Sequence, residues 1–147
     1  MGDRGNVILA GGENFPHPVA LYTHWGGSKI AKDVAEIIAK RERWDDSAYL
    51  GRRIASKIFR GDDGLGETGY GISAGVLLDN EYPVVVVDFS RQAVFILRES
   101  DVESFPGNFL LQRKSLDNLR DDFTPVATFE EIAERPERLH EIFEAAR

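Results

Sequence analysis

The sequence predicts an α+β fold: a mostly antiparallel sheet of about five strands, two central helices and a C-terminal helix, in the order ββααβββα. Short runs of β-branched and aromatic residues occur near the start and in the middle of the chain, bounded by glycine and proline. Between these runs, two segments repeat apolar residues at helical spacing. The 147 residues contain no internal repeat or linker, so we expect one domain, residues 1–147.

The first two strands are predicted at residues 6–10 and 19–25, on either side of a loop that contains two prolines. Their short separation favours a hairpin. Side chains alternate between the faces of a strand, so Tyr22 and His24 are expected on the same face.

Two helices are predicted next. Ser28 is the expected N-cap of the first, and Asp45 or Asp46 that of the second. Gly61 is the expected glycine after the second helix, and Trp44 is expected to pack over the junction between the helices. Each helix carries one apolar stripe: Ile30, Val34, Ile37 and Ile38 in the first, and Leu50, Ile54, Ile58 and Phe59 in the second.

A glycine-rich stretch, residues 61–75, separates the helices from the second group of strands. The sequence leaves open whether it is a lid or a simple connection. Strands are predicted at residues 72–78, 83–89 and 92–98, and an antiparallel meander is the expected pairing. Residues 84–87 are four consecutive valines, which is typical of a central strand that is covered on both faces.

The last third of the chain has a weaker pattern. Residues 109–111 are a candidate edge strand, and residues 115–120 are a candidate helical turn. Thr128 followed three residues later by Glu131 fits a capping box. It predicts a terminal helix that Pro136 interrupts or kinks.

Composition excludes several classes of protein. Without cysteine, the chain has neither disulfides nor thiolate metal sites. It contains no apolar stretch long enough to cross a membrane and no signal peptide at its start, so we expect a soluble, cytoplasmic protein without a membrane partner. The net charge of −7 would repel a nucleic-acid backbone, so extended nucleic-acid binding is not expected.

The charge is unevenly distributed along the chain. Residues 29–60 hold nine of the 18 Lys and Arg but only five of the 25 acids, which leaves this segment at +4 and the rest at −11. The two helices predicted within this segment form a basic helical pair, which can attract an anionic ligand locally. The alternative is that these charges lie on ordinary solvated helix faces.

Residues 22–29 hold the chain's highest concentration of side chains that can bind or react with a ligand. Two glycines before a helix let an anion approach the free backbone N–H groups, and Lys29 adds a cation. His24 can exchange a proton near neutral pH, and Trp25 offers a flat face to a ring. The alternative reading is an ordinary strand-to-helix turn with Trp25 in the core.

No metal site is predicted, and the sequence indicates no particular cofactor. The three histidines do not form an H-E-x-x-H motif. The acids Asp62, Asp63 and Glu67 do not have the spacing of an EF-hand loop, so a solvated acidic loop is the better interpretation.

Four segments of the chain resemble those of an uncharacterised family of small bacterial and phage proteins. They are MGDR at residues 1–4 with Asn6, YTHWGG at residues 22–27, RWDD at residues 43–46 with Tyr49 and Leu50, and GYGIS at residues 69–73. The likeness covers about the first 90 residues and brings no mechanism with it. It implies that these segments belong to one site, with the following polar groups: Arg4, His24, Asp45, Glu67 and Tyr70.

We therefore expect a binding module for a small anionic or ring-bearing ligand, with a nucleotide as one candidate. The expected ligand-binding residues are Arg4, His24, Trp25, Lys29 and Tyr70. One alternative is a small hydrolase or transferase with His24 as general base, oriented by Asp45 or Glu67. Another is a non-catalytic protein-protein interaction or phage-host factor, with which a homodimer is compatible. The sequence does not decide whether the protein is an enzyme.

Overall fold

A computed structural model describes residues 2–74, 80–98 and 124–147. The α+β class is confirmed. The strands are β1 (Gly5–Gly11), β2 (Phe15–Thr23), β3 (Tyr70–Ser73), β4 (Val84–Asp88), β5 (Ala93–Leu97) and β6 (Ala127–Thr128). A 3₁₀ turn (Gly27–Lys29) precedes the helices α1 (Ile30–Ile38), α2 (Ser47–Ile58), α3 (Phe129–Glu134) and α4 (Pro136–Ala145).

The described strands form one mixed sheet in the order β3-β2-β1-β4-β5-β6. The β1–β2 hairpin is confirmed. The predicted meander is wrong in its first step, because β3 pairs with β2 and β4 pairs in parallel with β1. The long connection through two helices allows β4 to return beside β1 in parallel, which a short turn cannot do.

Some element boundaries differ from prediction. Strand β2 begins at Phe15, because a register irregularity between Leu9 and Gly11 accommodates the proline-containing stretch. Ser28 is not an N-cap: it lies inside the 3₁₀ turn, and α1 begins at Ile30. The predicted edge strand at 109–111, the turn at 115–120 and the end of the predicted strand 72–78 lie outside the described residues.

Other local predictions are confirmed. Asp46 caps α2 by accepting a hydrogen bond from the Tyr49 N–H at 3.0 Å. The capping box of Thr128 and Glu131 is complete, and the terminal helix is divided before Pro136. All five residues of β4 are buried, as expected of a central strand.

The core lies between the helices and one face of the sheet. Val7, Leu21 and Val85 occupy that face on three neighbouring strands, as the register requires. The apolar stripes predicted for α1 and α2 pack on it, together with Phe143 of α4. Trp44 lies at the junction of α1 and α2, and its indole N–H donates to the Ile38 carbonyl at 3.0 Å.

The longest described helix, α2, has 12 residues. Within the described ranges, no helix combines the length and the apolarity that a membrane crossing requires.

Candidate functional site

The segment after β2 leaves the sheet through a turn built on Thr23. The Thr23 hydroxyl oxygen accepts hydrogen bonds from the N–H groups of Trp25 at 3.3 Å and Gly26 at 3.0 Å. Such a side-chain bond gives the backbone a local alternative to continuing the strand. His24 and Trp25 therefore lie at the point where the chain passes from the sheet edge into the 3₁₀ turn.

His24 is fixed through both its backbone and its ring. Its N–H donates to the Gly69 carbonyl at 2.8 Å, and its carbonyl accepts from the Asp3 N–H at 2.7 Å. Its Nδ1 lies 2.9 Å from the Tyr22 hydroxyl, so the expected placement of these two side chains on one face is confirmed. Gly2 lies so close to the other side of the ring that an added Cβ would be 2.6 Å from Nε2.

Trp25 is 61% exposed, so the alternative that placed it in the core is wrong. Its ring meets the His24 ring edge-on, with centroids 4.3 Å apart and planes at 82°. The indole also packs over Gly69, where an added Cβ would be 2.1 Å from Nε1. The exposed indole is thus held in place by an imidazole and by a glycine backbone.

The predicted anion-binding donors at the start of the helix already have a partner within the chain. The Asp3 carbonyl accepts from the Gly27 N–H at 2.8 Å. The Asp3 carboxylate accepts from the Ser28 N–H at 3.1 Å and from the Ser28 hydroxyl at 2.8 Å. A carboxylate is the charge that such a backbone terminus favours, and here Asp3 supplies it.

The same carboxylate acts on Tyr82. A hydrogen bond and the negative charge of Asp3, together with burial, raise the pKa of the Tyr82 phenol above its ordinary value of 10.0. All three effects favour the neutral phenol, which can donate to a carboxylate. The Tyr82 ring stacks on Phe143, so this network joins the start of the chain to α4.

Two predicted cations lie beside this segment. The Arg4 guanidinium pairs with Glu81 at 2.7 Å, and the two side chains are equally exposed, at 36%. Lys29 closes the 3₁₀ turn and is exposed. Of the two, Arg4 already has an acidic partner, whereas Lys29 is exposed to solvent.

Tyr70 lies in a different place. It pairs with Thr23, which shares the helix side of the sheet with Leu21, whereas Tyr22 and His24 lie on the other side. The Tyr70 ring packs on Phe59 with centroids 5.6 Å apart, in the wall of a pocket of about 210 Å³. The sheet therefore separates Tyr70 from the His24 ring.

One of the two proposed acidic partners of His24, Asp45, is not beside it. Asp45 precedes α2, whose first residue, Ser47, contacts Gly12 beyond the end of β1. His24 is held at the start of β1 by Asp3, so one whole strand length separates it from Asp45. Glu67 is exposed in the loop before β3.

Several cations of the helical pair make ion pairs with acids. The buried carboxylate of Asp33 accepts from the Arg60 guanidinium at 2.8 Å, and burial raises the pKa of that carboxyl above 3.8 despite the cation. Four further pairs involve this segment: Arg41–Glu130, Arg53–Glu42, Lys57–Glu36 and Arg43–Asp46. Four of these five acids already count in the net charge of +4 for residues 29–60, so only Glu130 lowers the local attraction for an anion.

Sequence reasoning missed Asp3 and Gly69. The resemblance had placed both residues among the shared segments, but no local pattern pairs a carboxylate with a helix start 25 residues away. Alternation along the strand did predict that Tyr22 shares a face with His24, although Tyr22 was not among the expected site residues.

Among the residues that the structure describes, no three histidine or acidic side chains converge as ligands for a metal ion. Comparison of the chain with protein-family models, with curated proteins and with solved structures gave no match in any of the three. The resemblance found in the sequence therefore stays a prediction.

Proposed function

We propose that the protein is a binding module for a small, planar, ring-bearing ligand that stacks on Trp25. The observation that carries the proposal is the exposed indole, held edge-on by His24 and supported by Gly69. Aromatic rings are attracted to one another in stacked and edge-to-face geometries. A side chain that is already fixed loses little conformational freedom on binding, and this increases affinity.

The ring contributes more to this proposal than a negative charge does. The backbone donors of the turn are occupied by Asp3, so an anionic group has only side-chain cations to meet. Lys29 is the nearest exposed one in sequence. A nucleotide remains a candidate, with its base on Trp25 and its phosphate near Lys29.

The geometry gives less support to His24 as a general base. A catalytic imidazole is ordinarily oriented by an acid, and its free nitrogen must reach the substrate. Here Nδ1 contacts the Tyr22 hydroxyl, and Gly2 lies against Nε2. Binding without turnover is therefore the function we favour.

The test is a titration with adenosine, AMP, uridine and UMP. Trp25 fluorescence in a Trp44→Phe background measures binding where Trp25 is kept, and the shift in melting temperature measures binding to every variant, including those that lack Trp25. We expect nucleoside and nucleotide to bind, and Trp25→Ala to weaken binding by roughly 5- to 150-fold, the usual contribution of one base stacked on an aromatic ring. Lys29→Ala should weaken only the phosphate-bearing compounds.

Trp25→Phe serves as the matched control, because it keeps an aromatic ring and should retain part of the affinity. Binding that is unchanged in Trp25→Ala would refute the proposal. So would the failure of all four compounds to bind. Turnover of a bound compound that is lost in His24→Ala would instead support the hydrolase alternative.

A further inference from the structure

Strand β3 is the terminal strand of the described sheet. It pairs with β2 on one side, and in the strand order no described strand follows it on the other. The edge of a sheet presents a row of N–H and C=O groups that can pair with a further strand. In β3 the Tyr70 N–H already donates to the Thr68 hydroxyl at 3.3 Å, so a further strand must replace this contact or pair with the other edge groups. Ile72, in the middle of β3, is 66% exposed although its cross-strand neighbour Leu21 is in the core.

The pocket of about 210 Å³ lies beside this edge on the helix side. Phe59, Tyr70 and Ile72 form its apolar wall, and the carboxylates of Asp62 and Asp63 belong to its lining. An apolar wall next to carboxylates suits a long side chain that has an aliphatic stem and a cationic end.

The two carboxylates accept hydrogen bonds from groups of their own loop. Asp62 accepts from the Gly64 N–H at 2.7 Å and from the Thr68 hydroxyl at 3.0 Å, and Asp63 accepts from the Leu65 N–H at 3.0 Å. All these donors are neutral. Within the described ranges, no lysine, arginine or histidine makes an ion pair with either carboxylate.

We propose that this edge binds an extended, basic peptide segment of a partner protein. The peptide backbone adds to β3 as a further strand, which is an established mode of peptide recognition. A lysine or arginine of the peptide lays its stem on Tyr70 and Ile72 and places its cation at Asp62 and Asp63. The pocket and the ring-binding surface of Trp25 are separate, so this inference does not depend on the proposed function.

Charge decides between this occupant and a second copy of the chain. In a symmetric pair of β3 strands, both partners would bring Asp62 and Asp63 to the same interface, and like charges facing each other are destabilising. The chain as a whole carries a net charge of −7. A basic partner gains from both the local and the overall charge.

The experiment uses three labelled hexapeptides with the full chain, followed by fluorescence anisotropy. The first alternates lysine and valine, the second alternates glutamate and valine, and the third is the lysine peptide with N-methyl groups on alternate residues. We expect only the first to bind well, because the second has the wrong charge and the third has lost strand-pairing donors. Its affinity should fall as the salt concentration rises.

The double variant Asp62→Asn/Asp63→Asn should bind the lysine peptide at least about tenfold more weakly, because its two carboxylates are neutralised. Its matched control is Glu134→Gln/Glu141→Gln, which removes two exposed charges on the C-terminal helices and should leave binding unchanged. Ile72→Lys alters an exposed side chain and should also abolish binding without loss of the fold. Trp25→Ala should bind the peptide normally.

Equal loss of affinity in the two double variants would overturn the proposal, since total charge would then explain the binding. Equal binding of the N-methylated peptide would overturn it too, because strand addition needs those N–H groups. So would sedimentation showing a dimer of the chain that Ile72→Lys dissociates.

Discussion

The carboxylate of Asp3 accepts hydrogen bonds from both the backbone N–H and the hydroxyl of Ser28, at 3.1 and 2.8 Å. Through this contact, Asp3 supplies the negative charge that the backbone N–H groups at the helix start favour. It also ties the segment before β1 to the segment after β2, which positions His24 and Trp25 between them.

Replacement of Asp3 by alanine should lower the free energy of unfolding by about 1–2 kcal/mol, because donors at the helix start lose a charged acceptor. Asp3→Asn, which keeps one acceptor oxygen, should lose less. Urea unfolding measures both. Asp45→Ala, at an exposed position, is the control and should change stability by less than about 0.5 kcal/mol; equal losses in Asp3→Ala and Asp45→Ala would contradict the structural role of the contact.

Asp33 and Glu131 should give opposite pH dependences of stability. Burial raises the folded-state pKa of Asp33 above 3.8, so the folded state holds its proton more tightly than the unfolded state does. The stability from this group is present below pH 3.8 and is lost as the pH rises through the folded pKa. The Thr128 N–H and hydroxyl lower the pKa of Glu131 below 4.5, so its stability is present above pH 4.5 and is lost as the pH falls through the folded pKa.

These signs can be measured by urea unfolding between about pH 3 and pH 7 for the wild type, Asp33→Asn and Glu131→Gln. The stability difference between wild type and Asp33→Asn should decrease as the pH rises. For Glu131→Gln the difference should increase. Two differences that change with the same sign would show that one of the assigned causes is wrong.

The two tryptophans should respond differently to truncation. Trp44 packs on Phe129 with centroids 5.7 Å apart and donates to the Ile38 carbonyl, so Trp44→Ala should cost about 2–4 kcal/mol. Trp25 is mostly exposed, and Trp25→Ala should stay within about 0.5 kcal/mol of the wild type. Thermal and urea unfolding test the pair, and a large loss in Trp25→Ala would mean that the indole is structural.

Gly69 should control the position of the Trp25 indole. A Cβ at Gly69 would be 2.1 Å from Nε1, so Gly69→Ala must displace the ring. Because the indole is mostly exposed and can move aside, the loss of stability should stay near the ~0.5 kcal/mol limit expected for Trp25→Ala. The Trp25 indole N–H resonance, assigned in a Trp44→Phe background, should shift. Gly66→Ala is the matched control, since an added Cβ there meets nothing within 4 Å; an identical resonance in the two variants would argue against the contact.

Much of the fold was accessible from the sequence because its signals are local. The helical stripes, the Asp46 cap and the Thr128 capping box each depend on residues within one or two turns of helix. The hairpin of β1 and β2 and the burial of β4 likewise follow from short-range pattern. Strand pairing beyond neighbours has no such signal, which is why β3 was assigned to β4 instead of β2.

The sequence by itself determined the α+β class, the face shared by Tyr22 and His24, and the concentration of chemistry before α1. Only the tertiary structure decided that Asp3 occupies the start of that helix, that Trp25 stands exposed on Gly69, and that Tyr70 lies across the sheet in a separate pocket. The physical reason is that these contacts join segments far apart in the chain. Their partners are chosen by how the strands pack together, and a one-dimensional pattern does not record that choice.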